Sequence, residues 1–292
     1  MKDFIIFNYS WVPNSTLYFK SFEEAGYSCD FIDENNYSTF IPDDKYRAAI
    51  VYLHCQHIRP TIDAIIEKHC SDAFLIQHDD TDHEDVQVFT SRAPDLVMQR
   101  ELTDNTKSPY SCPIYPFHFP MPSLYNPGTV KDIDVVFYAC MTNNRRRPFV
   151  EHVDALSRKM SHLKWDVRIT NSGERTPEDY RLAVNRAKIG LHYFGNSYDS
   201  WRIWELASTK TAIIMPRLRM RSVSSEYGSF EEYVVLSDAF EDLEEKIAYT
   251  LSDNRYVDIA EKAYASYNEK HCPSKCVEHY HRVLKKYLSF MT

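Results

Sequence analysis

An arginine and a glutamate stand three residues apart in the stretch NSYDSWRIWELASTKTAIIMP, from Asn196 to Pro216. Residues three apart share one face of an α-helix, so the side chains of Arg202 and Glu205 point the same way. A carboxylate in such a position can accept two hydrogen bonds from a ribose diol, and a guanidinium matches phosphate oxygens. The alternative is an intrahelical ion pair, which contributes only about 0.3–0.5 kcal/mol when exposed.

Three consecutive arginines, Arg145, Arg146 and Arg147, lie in the loop ACMTNNRRRP between an apolar run and an amphipathic one. This order places them near a helix N-terminus, where backbone N–H groups and the helix dipole favour anions. Their forked donors suit a pyrophosphate. A solvated arginine cluster is the alternative.

An acidic segment, LIQHDDTDHED, follows an apolar run in the first half of the chain. A carboxylate or imidazole in a loop there can act as the general base that takes the proton of an attacking hydroxyl. The first candidates are Asp79 and Asp80, followed by Asp82, Glu84 and His78. Asp80 and Asp82 also form an Asp-x-Asp pattern suited to Mg²⁺ or Mn²⁺, but so short a pattern is common in an acid-rich chain, and we expect no metal site. A solvated acidic loop is the other alternative.

Short apolar runs alternate with amphipathic segments along the whole chain, which predicts parallel strands joined by crossover helices. The first half is expected to contain strands at 4–7, 28–32, 48–53, 73–77, 96–99 and 114–115, with helices at 15–25 and around 59–70. The second half is expected to contain strands at 134–138, 165–169, 189–193, 212–215 and 233–236, with helices at 147–160, 177–185 and 200–208 and three more after residues 240, 255 and 274.

A proline-rich segment, 116–128, separates the two halves. Its four prolines and one glycine exclude both a helix and a central strand, so the predicted domains are 1–127 and 128–292. Open parallel sheets bind ligands at the carboxyl ends of their strands, and two facing sheets create a cleft. We therefore expect the site between the domains.

The composition limits the class of protein. With 292 residues, 43% of them hydrophobic, the chain can bury the cores of two ordinary domains. The net charge of −8 argues against nucleic acid as a partner, because a polyanion usually needs a basic surface. The seven cysteines are scattered, and no stretch approaches the ~20 apolar residues of a membrane span. A globular protein of the reducing cytoplasm is expected.

From about residue 134 to its end, the chain resembles the C-terminal domain of group 1 glycosyltransferases. The similarity is to the spore maturation protein B-like (CgeB-like) branch of the GT-B fold. The stretches that carry it are, in order, DVVFYACMTNNRRRPFVEHVDAL, SYDSWRIWELASTKTAIIMP, EEYVVLSDAFEDLEEKIAYTLSD and RYVDIAEKAYASYNEKHCPSKCVEHYHRVL. Where the family often has a small-residue pair containing glycine after the glutamate, this chain reads ASTKT, a departure that leaves the bound base undecided.

The resemblance implies an α/β protein of GT-B architecture, in which two Rossmann-like domains face each other across a cleft. Domain 1–127 would bind the acceptor and domain 128–292 the nucleotide-sugar donor, with the last helix, about 274–290, crossing back to the first domain. Metal-independent transfer of a sugar to an acceptor hydroxyl is the implied activity.

The resemblance also assigns donor-binding roles. Glu205 would bind the donor ribose, Arg202 would support it or contact a phosphate, and Arg147 with Arg145 and Arg146 would face the diphosphate. Tyr198, in the loop before the helix, joins these donor-binding candidates. Two alternatives stay open, namely a transferase acting on modified DNA or a surface polysaccharide, and a nucleotide-sugar-binding protein of this fold without turnover.

Overall fold

The structure of the protein is a computed structural model. It describes residues 1–8, 13–42, 45–52, 58–81, 83–118, 120–141, 146–170, 177–195, 200–220 and 230–291. The chain forms two compact units. Unit 1 comprises Met1–Pro120, Met220–Ser222 and Pro273–Thr292, and unit 2 comprises Met121–Arg219 and Val223–Cys272.

Unit 1 is built on a six-stranded parallel sheet in the order β2-β1-β3-β4-β5-β6. Its strands and first two helices are β1 (Lys2–Phe7), α1 (Pro13–Glu24), β2 (Cys29–Ile32), β3 (Tyr46–Tyr52), α2 (Arg59–His69), β4 (Phe74–Asp79), β5 (Leu96–Gln99) and β6 (Ile114–Pro116). Residues 4–7 of β1 and 48–52 of β3 are continuous buried apolar runs, because a parallel sheet is covered on both faces.

Unit 2 is built on a five-stranded parallel sheet in the order β11-β10-β9-β7-β8. Its elements are β7 (Ile133–Cys140), α3 (Arg147–Lys159), β8 (Trp165–Thr170), α4 (Pro177–Arg186), β9 (Ala187–Leu191), α5 (Trp201–Ser208), β10 (Ala212–Pro216), β11 (Val234–Leu236), α6 (Leu243–Leu251) and α7 (Arg255–Ser266). A short 3₁₀ turn, Ser252–Asn254, precedes α7, and a π-helical turn, Tyr267–His271, follows it.

The last helix, α8 (Pro273–Lys285), belongs to unit 1 although it follows unit 2 in the chain. It packs against α1, where the Tyr280 ring lies 4.7 Å from the ring of Tyr18. The hydroxyl group of Tyr280 lies 3.1 Å from Nδ1 of His78 in β4. The C-terminal segment therefore completes the core of unit 1.

The strand order of unit 2 creates a switch point between β7 and β9. From β7 the chain moves to β8 on one side and then to β9 on the other, because β7 pairs with both. Doubly wound sheets with this 2-1-3-4-5 order bind ligands beyond the carboxyl ends of the strands at the switch point. Residues that follow β7 and β9 lie at this place.

The predicted alternation of strands and helices is confirmed, with strand ends that differ by one or two residues, and two of these differences concern the candidate site. β4 continues to Asp79, so His78 and Asp79 lie in the strand and not in the loop after it. β9 ends at Leu191, so His192 and Tyr193 lie beyond the strand. In β4, buried polar side chains interrupt the apolar run from which its end was predicted. In the described residues, no helix is long and apolar enough to cross a membrane.

Candidate functional site

Arg146 lies where α3 begins, after the carboxyl end of β7. It is the N-cap residue of α3 and is 7% exposed. Its guanidinium packs against Gly195, because a Cβ added to that glycine would come within 3.0 Å of Arg146 Nη2. The two strands of the switch point thus bring Arg146 and Gly195 together, although they are distant in sequence.

The other predicted residues of this region have different positions. Arg147 is the first residue of α3 and is exposed. Arg145 and Tyr198 lie outside the described residues. Of the two arginines of the triplet that the structure describes, Arg146 is the buried one.

Glu205 of α5 is held by Tyr180 of α4. The Tyr180 hydroxyl donates a hydrogen bond to Glu205 Oε2 at 2.8 Å. The positive charge of Arg202 acts on both groups and partly lowers the pKa of each.

Burial sets the protonation of the Glu205 carboxyl and the Tyr180 hydroxyl. It raises the pKa of the Glu205 carboxyl, an effect that the hydrogen bond from Tyr180 and the charge of Arg202 partly offset. Burial, followed by the Glu205 charge, raises the pKa of the Tyr180 hydroxyl well above its usual value. Tyr180 consequently keeps its proton and fixes the orientation of Glu205.

His192 is the first residue after β9 and is fully buried. Within the described part of the chain, neither ring nitrogen has a hydrogen-bond partner. Burial first, and then the charges of Arg202 and Arg146, hold the pKa of His192 well below its usual value. A neutral imidazole therefore lies among the cationic groups at the switch point.

The short helix α5 is held firmly enough to position its two charged residues. Ser200 caps its N-terminus, accepting a long hydrogen bond of 3.4 Å from the backbone N–H of Arg202. Trp204 is fully buried and stacks on the ring of His271 at 4.6 Å, so it is a core residue, whereas Trp201 is 43% exposed.

Lys210, in the turn after α5, has a φ of 54°, which lies in the left-handed region that glycine adopts at least cost. An ion pair with Glu261 at 2.8 Å holds the lysine there, and its ammonium group lies over the rings of Tyr125 and Tyr264.

Asp79, predicted as a catalytic residue, is fully buried at the end of β4. Its Oδ1 accepts hydrogen bonds from the backbone N–H and the hydroxyl of Thr81, and its Oδ2 accepts one from the backbone N–H of Gln87. Burial raises its pKa, while these hydrogen bonds lower it in part. The carboxylate thereby holds the loop that follows the strand.

Asp80 is the first residue beyond β4, and the Tyr52 hydroxyl donates a hydrogen bond to its Oδ2. Of the other candidates, His78 packs in the aromatic core, with its ring centroid 4.2 Å from that of Phe117. Glu84 accepts a hydrogen bond from the hydroxyl of Thr103, and Asp82 lies outside the described residues. The described residues contain no group of three acidic, histidine or cysteine side chains suited to a metal ion.

Sequence reasoning missed Tyr180, His192 and Gly195. Tyr180 lies on a different helix from its two partners, and nothing in its local sequence indicates them. For His192 a signal existed, because a histidine that directly follows a buried parallel strand lies at the ligand-binding edge of the sheet.

Residues 145–282, just under half of the chain, match a protein family described as glycosyl transferase-like. A comparison with curated proteins gives no match. The matched range includes the residues of the candidate site in unit 2, namely Arg146, Tyr180, His192, Arg202 and Glu205.

Several solved structures are also similar to this chain. Sucrose-phosphate synthase from Thermosynechococcus elongatus is 10% identical, with a TM-score of 0.59, over 99% of this chain and 100% of that protein. HepE from Anabaena, in complex with UDP and glucose, is 11% identical, with a TM-score of 0.53, over 98% and 100%. The pneumococcal O-GlcNAc transferase GtfA, in complex with UDP and GlcNAc, is 10% identical, with a TM-score of 0.55, over 83% of this chain.

The chain spans 57% of the length of GtfA. At identities this low, the likeness concerns the fold. Membership of the CgeB-like branch stays a prediction. The protein has the α/β fold of the GT-B glycosyltransferases, with two Rossmann-like domains, and its residues 145–282 are similar to glycosyl transferase-like proteins.

Proposed function

We propose that the protein is a glycosyltransferase that moves a sugar from a nucleotide-activated donor to an acceptor hydroxyl. One observation carries the proposal: Arg146, Arg202 and Glu205 converge in unit 2 near the switch point between β7 and β9. Two cationic groups and one oriented carboxylate are what a diphosphate and a ribose require.

Glu205 is proposed to bind the donor ribose. Tyr180 already donates to its Oε2, and Oε1 makes no hydrogen bond to another described residue. Oε1 can therefore accept from a ribose hydroxyl without breaking an existing contact. Because Tyr180 fixes the carboxylate, little side-chain entropy is lost when the nucleotide binds.

The arginines are proposed to bind the diphosphate and to stabilise it as the leaving group. Negative charge grows on the diphosphate as the bond between the sugar carbon and the phosphate oxygen breaks. Arg146 and Arg202 supply positive charge there, and Arg147 adds an exposed one. We propose that this replaces the divalent cation that other transferases use, so the reaction needs no metal.

Asp80 is proposed as the general base. The acceptor oxygen forms the new bond to the sugar carbon, its proton passes to the Asp80 carboxylate, and the electron pair of the broken bond leaves on the diphosphate. Asp79 was the equal candidate in the sequence, but its two oxygens already accept hydrogen bonds from the loop after β4.

The experiment that tests the proposal measures thermal stabilisation of the purified protein by a panel of nucleotides and nucleotide sugars with EDTA present. UDP and its sugars come first, because HepE and GtfA have structures with UDP. A ligand at about 100 times its Kd adds about 2.7 kcal/mol to the free energy of unfolding. We expect one nucleotide family to raise the melting temperature without metal, and Glu205→Gln to lose the shift.

Two further variants make the result specific. Glu245→Gln, which changes an exposed glutamate on α6, should keep the full shift. Asp80→Asn should keep it as well while transfer falls about 10²–10⁴-fold, the usual contribution of a general base. The absence of a shift with every nucleotide would contradict the proposal. Donor binding with no transfer across a broad acceptor panel would instead indicate a binding protein.

A further inference from the structure

A buried imidazole without a hydrogen-bond partner requires an explanation, because leaving such a polar group unsatisfied is costly. His192 is in this position, since both its ring nitrogens are buried and lack partners within the described residues. The backbone N–H of His192 bonds to the carbonyl of Ile214 in β10, so the residue is anchored while its side chain is not satisfied.

Two cationic groups and one aromatic ring of the described residues act on His192 or lie near it. Arg202 of α5 and Arg146 at the start of α3 both act on it electrostatically, and the ring of Phe194 lies 6.0 Å away. Beyond Arg202 lie the neutral hydroxyl of Tyr180 and the carboxyl of Glu205. Without a ligand, this environment disfavours the imidazolium form.

We propose that His192 is a proton-coupled anion-binding residue, which takes up one proton when a diphosphate binds beside Arg146 and Arg202 and then donates a ring N–H to a phosphate oxygen. This inference rests on the proposed function, because it concerns the donor diphosphate of the same site. The inference adds His192 to the residues proposed to bind the diphosphate, and it predicts that nucleotide affinity depends on pH.

The physical reason is the reversal of local charge. A diphosphate brings at least two negative charges next to two arginines, so the repulsion that keeps the imidazole neutral is replaced by attraction. The ligand also supplies the missing acceptor. The bound state therefore holds more protons than the free state, and linkage requires the affinity to rise as the pH falls. Where one whole proton is taken up, the change is about tenfold per pH unit.

The test is isothermal titration calorimetry of UDP binding at pH 7 in several buffers with different ionisation enthalpies. The slope of the observed enthalpy against buffer enthalpy gives the number of protons taken up. His192→Gln keeps hydrogen-bond donors but cannot titrate in this range. Protons exchanged by UDP itself are common to both proteins and cancel in the difference. His162→Gln, at an exposed position of unit 2, is the matched control.

We expect the wild type and His162→Gln to take up close to one more proton than His192→Gln, and the affinity of His192→Gln for UDP to rise less steeply as the pH falls. Equal proton numbers in all three proteins would overturn the inference and leave the proposed function standing. Failure of every nucleotide to bind the wild type would overturn both.

A second measurement covers the case in which His192→Gln does not fold. The ¹⁵N chemical shifts of the imidazole nitrogens in the wild type, recorded with and without saturating UDP at pH 7, distinguish a neutral ring from an imidazolium. A change from neutral to protonated at His192 on binding supports the inference. A ring that stays neutral in the UDP complex overturns it.

Discussion

Gly195 decides where the Arg146 guanidinium lies, because there is no room for a Cβ between them. We predict that Gly195→Ala displaces the guanidinium and weakens UDP affinity about 10- to 100-fold, the effect of losing a hydrogen bond to a charged group. The free energy of unfolding should change by less than about 0.5 kcal/mol, since only the end of a flexible side chain must move. Calorimetry and urea denaturation measure the two effects.

A double-mutant cycle shows whether Gly195 acts through Arg146. Arg146→Ala alone should weaken UDP binding by a similar factor, and the double variant should bind no worse than the single variants. Additive losses would mean that the two residues affect the nucleotide independently, which contradicts the predicted mechanism.

At the scale of elements, the contact between β9 and α5 positions Arg202 and Glu205. A Cβ on Gly190 of β9 would come within 3.0 Å of the Leu206 side chain, which is buried. We predict that Gly190→Ala destabilises the protein by about 1–3 kcal/mol through overpacking and also weakens nucleotide binding, because α5 shifts with its charged residues. Urea denaturation measures the first effect and thermal shift the second.

Shortening the opposing side chain is the control. If Gly190→Ala acts by pushing Leu206, then Leu206→Val should be less harmful in the Gly190→Ala background than in the wild type. The interaction free energy of the pair would then be favourable. Simple additivity of the two changes would show that the close packing of α5 on β9 is not the cause.

For the whole molecule, two histidines of α8 in unit 1 should contribute to acid sensitivity. Burial, with Arg282 and Lys285 as secondary causes, lowers the pKa of His279 to about 3 and that of His281 to about 4. The unfolded chain has ordinary histidines with a pKa near 6.5, so below that pH it binds more protons than the folded protein. The stabilisation is therefore complete above about pH 6.5 and is lost as the pH falls toward 4 and 3.

We predict that the free energy of unfolding, measured by urea denaturation between pH 7 and pH 4, falls less steeply for His281→Gln than for the wild type. The Nε2 atom of His281 lies 2.7 Å from Ser21 Oγ, and its ring stacks on Phe22 at 4.8 Å, so the variant should be less stable at pH 7. His83→Gln, at an exposed position of the same unit, should keep the wild-type slope. Identical slopes in all three proteins would contradict the prediction.

The order and type of the helices and strands follow from local patterns. Buried parallel strands are apolar runs, and surface helices are amphipathic, so even a short strand such as Leu96–Gln99 is visible in the sequence. The strand end at Asp79 was missed because polar side chains are buried there, and burial depends on what packs from elsewhere in the chain. The assignment of α8 to unit 1 likewise depends on contacts with α1 and β4.

The candidate site also combines features that follow from local sequence with features that depend on long-range contacts. Spacing alone puts Arg202 and Glu205 on one helix face, because helical geometry needs only local information. The sequence could not show that Tyr180 of another helix joins them, that Gly195 makes room for Arg146, or that His192 is buried beside both arginines. These are long-range contacts created by the order of strands in the sheet, and no short stretch of sequence contains them.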